Sequence, residues 1–158
     1  MLSWHTKKLI GITVTAIVVV ILITVVFPPL PTSHSSTLLS SGTIKSVGPD
    51  KYYCVNFTAP TGAYSISISG SYTSNNNIEV GVLTARQLGA FTQNESTIAD
   101  ARWYSGNNVG STISLVLFSS GTPYYLVIYN GNSSTSDTVT IDNAIALDYT
   151  TPGWLGPL

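Results

Sequence analysis

Two hydrophobic periods divide the chain. From Leu9 to Phe27 the apolar positions are continuous, nineteen residues without a charge and centred on Ile17–Ile23. At about 1.5 Å of rise per residue, a helix of this run is about 28 Å long, close to the hydrocarbon thickness of a bilayer. From residue 43 onward the period is two. Tyr53, Val55 and Phe57 share one face of a strand predicted over Lys51 to Phe57. Tyr64, Ile66 and Ile68 alternate with Ser65, Ser67 and Ser69, the mark of a half-buried strand with a wet outer face. Gly70 to Asn77 reads as a polar turn, and Ile78, Val80 and Val82 as the next strand. Ile113, Leu115 and Leu117 alternate again. Tyr124 to Tyr129 is almost continuously apolar and is expected at the centre of a sheet. Val139, Ile141, Ile145, Leu147 and Tyr149 share one parity over the last strand region, Asp137 to Tyr149. Asn143 falls on the same parity, which predicts a bulge or bend there.

Short strands at this spacing, with turn signals between them, predict an all-β fold: an antiparallel β-sandwich or jelly roll of about 7–8 strands, preceded by one N-terminal transmembrane helix. One segment departs from the pattern. Thr84 to Gly110 is too long for a hairpin loop, and Leu88 and Phe91 stand three apart. It reads as a structured crossover, with a helical turn or two over Glu95 to Arg102, packing Leu88, Phe91 and Trp103 over an open end or edge.

The boundaries follow. Residues 1–8 form a cytoplasmic N-terminus and 9–27 a transmembrane signal anchor, with Leu9, Ile17, Val20, Ile23 and Phe27 as its anchor residues. Residues 28–42 form a Pro/Ser/Thr tether, 43–149 the extracytoplasmic sandwich, and 150–158 a Pro/Gly-rich tail carrying Trp154, Leu155 and Leu158. The apolar run exceeds the roughly 7–15 residues of a secretory signal, and no good cleavage site follows it, so it is read as retained. Lys7 and Lys8 on its short flank place the N-terminus inside the cell and the domain outside. Pro28, Pro29 and Pro31 stop the helix. His34 falls in the tether, as a solvent-exposed linker residue.

The stretch Gly121-Thr122-Pro123-Tyr124-Tyr125-Leu126-Val127-Ile128-Tyr129-Asn130, a polar loop, then Val139-Thr140-Ile141 and Ile145-Ala146-Leu147-Asp148-Tyr149 carries a resemblance. So does Val80 to Leu83 followed by Gln87-Leu88-Gly89-Ala90-Phe91, a short glutamine-containing turn ending in an aromatic. Over roughly residues 43 to 149 the chain resembles emp24/GOLD-like and prepeptidase C-terminal-like jelly-roll domains of archaeal and bacterial surface proteins. The resemblance implies a fold and a surface location, and no catalytic residues.

Composition narrows the chemistry. Charged residues are 8% of the chain. Beyond Phe27, four basic side chains (Lys45, Lys51, Arg86, Arg102) stand against seven acidic ones, a net of −3 with no basic stripe, which excludes nucleic acid as a partner. With His34 in a tether, the folded part has no histidine for a hydrolytic triad and few ligands for zinc. Carboxylate pairs among Glu79, Glu95, Asp100, Asp142 and Asp148, and a calcium site from Asp137, Asp142 and Asp148, are outweighed by ordinary surface solvation. Cys54, the only cysteine, reads as a buried thiol. No enzyme activity, cofactor or metal is expected.

The candidate ligand contacts are Trp103, Tyr104 and Asn107, where rings beside amides can stack on a sugar and bond its hydroxyls; the competing role for Trp103 is to plug the sandwich. Asn56, Asn94 and Asn132 head Asn-x-Ser/Thr acceptors, and Asn94 and Asn132, in predicted loops, are the candidate glycosylation sites. The leading functional expectation is a single-pass cell-membrane protein, anchored in the lipid bilayer, whose domain mediates binding or adhesion to a glycan, surface polymer or protein. The alternative is a structural subunit of an extracellular filament, pilus or envelope layer, associating with copies of itself. Low charge and a Ser/Thr/Asn surface, which lack like-charge repulsion between copies, favour it.

Overall fold

A computed structural model describes residues 30–93, 103–116, 119–132 and 134–153, without the side chains of 103, 104, 106 and 107. Seven strands and one short helix follow in chain order: β1 (Thr32–Leu39), β2 (Ile44–Val47), β3 (Lys51–Thr58), β4 (Tyr64–Thr84), α1 (Ala85–Thr92), β5 (Trp103–Val116), β6 (Pro123–Asn130) and β7 (Asp137–Thr151). They belong to one compact unit, Ser33–Thr151. The seven strands join in one hydrogen-bonded sheet, ordered β1-β7-β4-β6-β3, with β2 also on β7 and β5 also on β4. The ladders in which register is defined are antiparallel. The expected all-β antiparallel architecture is present.

The 21-residue β4 organises the sheet. Its first part, Tyr64 to Ser74, lies along β7. Its second part, Glu79 to Thr84, lies along β6. On its other side β5 follows both parts, with the register shifting between Thr73 and Ile78. Both parts turn the same residue parity inward. Ile66, Ile68 and Tyr72 from the first, and Ile78, Val80 and Val82 from the second, meet Ile113, Leu126, Ile128, Val139, Ile141 and Ile145 in a single core cluster. Each such fully buried aliphatic side chain stabilises the fold by about 1.5–3 kcal/mol relative to exposure.

The stretch Gly70 to Asn77, expected as a turn, is the bend of this continuous strand. Its backbone stays extended because the asparagines bond sideways: Asn75 Oδ1 accepts from the Thr138 amide at 2.5 Å. Gly70 is required in the bend. Its φ is +151°, and a Cβ there would come within 2.8 Å of the Ile145 Cα.

The bulge expected at Asn143 is present. The β4–β7 register shifts on both sides of the Ser71–Asn143 pair, and Ser71 Oγ accepts from both the Asn143 amide (3.2 Å) and Nδ2 (2.7 Å). That lets Asn143 reach solvent while Ile141 and Ile145 remain fully buried. As expected, β6 is central, between β3 and β4.

Two other boundaries differ from expectation. The tether stretch 28–42 contains β1, an exposed strand beside β7. The segment Thr84 to Gly110 is not one crossover, because β5 begins at Trp103. Helix α1 fills its first part. Thr84 caps it: its Oγ1 accepts from the Gln87 amide and its own amide donates to Gln87 Oε1, a complete capping box. Leu83 and Val127 are fully buried yet stand apart from the main core cluster. They are opposite in parity to Val82 and Leu126, on the face that α1, in contact with β4 and β6, covers. Among the described residues no helix is long and apolar enough to cross a membrane. The anchor expected over 9–27, with Leu9, Ile17, Val20, Ile23 and Phe27, lies outside them, as do the helical turn expected over Glu95 to Arg102 and the end of the tail.

Candidate functional site

The bend of β4 and the loop after β6 meet in a polar cleft of about 430 Å³, lined by Asn76, Asn77, Glu79, Gly131 and Asn132. That volume falls in the range of small-molecule sites, about 300–1,000 Å³. Glu79 stands in a cross-strand row, with Asn107 of β5 opposite it on one side and Tyr129 of β6 on the other. Tyr129 in turn lies opposite Tyr52 of β3. Phe91 of α1 stands edge-on to both tyrosines, at 5.5 Å from Tyr52 and 5.2 Å from Tyr129. The Tyr129 ring also borders the cleft, since a Cβ on Gly131 would lie 3.2 Å from its Cε1. Burial, then the charges of Asp50 and Glu79, raise the Tyr129 hydroxyl above its ordinary pKa, so the phenol remains a neutral donor.

The loop side of the cleft is fixed by Asn130, which is fully buried. Its Nδ2 donates to the carbonyls of Val47 (3.1 Å) and Thr135 (2.7 Å), and its Oδ1 accepts from the Asn132 amide (2.9 Å). The Asn132 carbonyl accepts from the Asp50 amide at 3.2 Å. Asn132 Oδ1 accepts from the Ser134 amide at 2.8 Å, an Asx-turn. On the strand side, Asn76 Nδ2 donates to Asp137 Oδ1 at 2.6 Å. Asp137 is fully buried at the start of β7, and its Oδ2 has no hydrogen-bond partner among the described residues. Amide and carboxylate groups therefore converge on one opening beside the Tyr129 ring, a set that exchanges hydrogen bonds with hydroxyls.

The residues expected from the sequence fare differently. Strand β5 places the Cα of Asn107 opposite Glu79, of Tyr104 opposite Gly81 and of Trp103 opposite Val82, next to the cleft's strand side; their side chains lie outside the described set. Asn132 is exposed and lines the cleft, and Asn94 lies outside the described residues.

His34 is not a linker residue. It sits in β1, its Nε2 is 2.9 Å from Thr151 Oγ1, and its ring stacks on Tyr149 at 5.1 Å. The folded part therefore does contain a histidine, exposed and paired with a hydroxyl. Cys54 is half-buried, and burial raises its thiol pKa. Asp137, Asp142 and Asp148 have separate partners: Asp142 accepts from Thr73 and Asp148 from Ser69. Among the described residues no three His, Cys, Asp or Glu side chains gather as a metal site would require. The sequence did not reveal that Asn76, Asn77 and Glu79 face Gly131 and Asn132. Both segments are rich in amides, but only the register of β4 against β6 and β7 joins them.

No protein-family profile matches the chain, and no curated protein matches it. Among solved structures it is similar to PliG of Aeromonas hydrophila, a periplasmic inhibitor of g-type lysozyme, at 13% identity over 69% of this chain and 87% of that one, with a TM-score of 0.35. It is similar to the pre-peptidase C-terminal domain of a Bacillus anthracis collagenase, at 13% identity over 71% and 89%, TM-score 0.31. A third is the CBM36-1 domain of a multidomain xylanase from the hindgut metagenome of Trinervitermes trinervoides, at 11% identity over 76% and 96%, TM-score 0.35.

Proposed function

We propose that this chain is a non-enzymatic surface protein, held in the cell membrane by residues 9–27, whose β-sandwich of jelly-roll type displays a binding site for a hydroxyl-rich ligand, a glycan or glycan-bearing polymer. The observation that carries the reading is the cleft, whose lining is three amides, one carboxylate and a glycine, with a tyrosine ring against that glycine. Amides and carboxylates take sugar hydroxyls as both donors and acceptors, and a ring edge or face covers the apolar side of a sugar. The sparse charge of the chain suits a neutral ligand. The extracytoplasmic placement draws its support from Lys7 and Lys8 before an uncharged nineteen-residue run. In this reading Asn132 serves the cleft, and Asn94 is the remaining glycosylation acceptor.

A panel of immobilised neutral oligosaccharides, probed with the full-length protein in detergent, tests the site. The expected result is binding to at least one member, weakened about tenfold or more by Asn77→Ala, a change of about 1.4 kcal/mol, with the unfolding midpoint unchanged. Absence of binding across the panel, or binding indifferent to Asn77→Ala and Asn132→Ala, overturns it.

A further inference from the structure

Among the described strands, three lines have a ladder partner on one side only: β3 on β6, β1 with β2 on β7, and β5 on β4. Sheet edges invite pairing with other chains, and proteins guard them with lysine, proline, short strands or interruptions. The β1–β2 line is broken at the Ser40–Thr43 turn and carries Lys45. Strand β3 carries Lys51. The 14-residue β5, the longest of the three, contains no charged residue and no proline. Its second half, Gly110 to Val116, pairs residue for residue with Ser67 to Thr73 without a register shift, so it is a straight ladder with its other side unpaired among the described strands.

The core row is also unfinished at this edge. Ile113 is fully buried, but Leu115, packed against the core, is only half-buried, and Val116 is 59% exposed.

We infer that β5 is an interface between two copies of this chain, paired antiparallel across a two-fold axis near Ser114. A second copy is the occupant these features suit. A strand meets itself antiparallel under a two-fold without needing a second complementary sequence. An uncharged strand meets its copy with no like-charge repulsion, which β3 and β2 would each incur through a lysine. The pairing would set Leu115 of each copy against the core row of the other. A ladder of about five residues is well below the roughly 1,600 Å² of a standard interface, so the dimer is weak and concentration-dependent, with a dissociation constant on the order of micromolar. The inference stands independently of the cleft's ligand.

Sedimentation equilibrium of the full-length protein in detergent, over about 1–100 μM, reads the dimer. The double variant Thr112→Lys/Ser114→Lys alters two exposed positions, and we expect it to raise the dissociation constant at least about tenfold. A second measurement does not depend on that variant folding. In a Cys54→Ala background, Ser114→Cys crosslinks into dimers under mild oxidation, and Asn56→Cys on β3 does not. A monomer at every concentration with no Ser114→Cys crosslink overturns the inference. So does a dimer that survives the lysine pair in a folded variant, or crosslinking through Asn56→Cys in place of Ser114→Cys.

Discussion

Asn130 ties its own loop to a strand that is distant in sequence. Its amide bonds the end of β2 at Val47, the approach to β7 at Thr135, and the cleft residue Asn132. Each partner is a backbone group, so no neighbouring side chain can substitute by changing rotamer. Removing the amide strands buried acceptors, which costs about 1–3 kcal/mol. Asn130→Ala is therefore expected to lower stability by about 2 kcal/mol in urea unfolding and to weaken oligosaccharide binding through Asn132. Asn130→Asp is expected to be worse than Ala, because a carboxylate would face the carbonyls of Val47 and Thr135 with no proton to offer.

At the scale of elements, α1 depends on its first residues more than on its length. It has eight residues, a glycine within it, and no acidic side chain in its first turn. Isolated helices this short are not stable in water. The capping box at Thr84 and Gln87 and the Phe91 contacts with Tyr52 and Tyr129 hold it in place. Thr84→Ala is expected to cost about 1 kcal/mol in denaturant unfolding, with Thr84→Ser retaining most of it.

The elements differ in how far the sequence disclosed them. Where one strand face is buried and the other wet, as in Ile66 and Ile68 between serines, alternation names the strand and its inward side. The parity of Asn143 likewise announced the bulge. Strand β1 has no such signal, since Thr32 to Thr37 are exposed and it takes its order from pairing beside β7. The bend of β4 was hidden for the same reason: serine and asparagine on both faces look like a turn until Thr138 is brought to Asn75. The cleft inherits that difficulty, because its two walls lie on either side of this long-range register.

For the whole molecule, the proposed topology has a direct measurement. In sealed right-side-out vesicles, added protease is expected to remove the domain at residues 33–151 while an N-terminal tag remains protected. Deleting residues 9–27 is expected to move the protein from the membrane fraction to the soluble one. A full-length chain that partitions into the soluble fraction would count against the anchor.

The order in which β4 finds its neighbours has a consequence for synthesis. The chain makes β1, β2 and β4 before β7, yet β1 and β2 have their ladder in β7, and the first part of β4 has one of its two there. Until residue 137 and the strand beyond it have been made, those segments lack partners, so assembly is governed by closure of long loops. Completion of the fold waits for the last strand, and a chain terminated before Asp137 is left with the edges of β1, β2 and β4 open to pairing with other molecules.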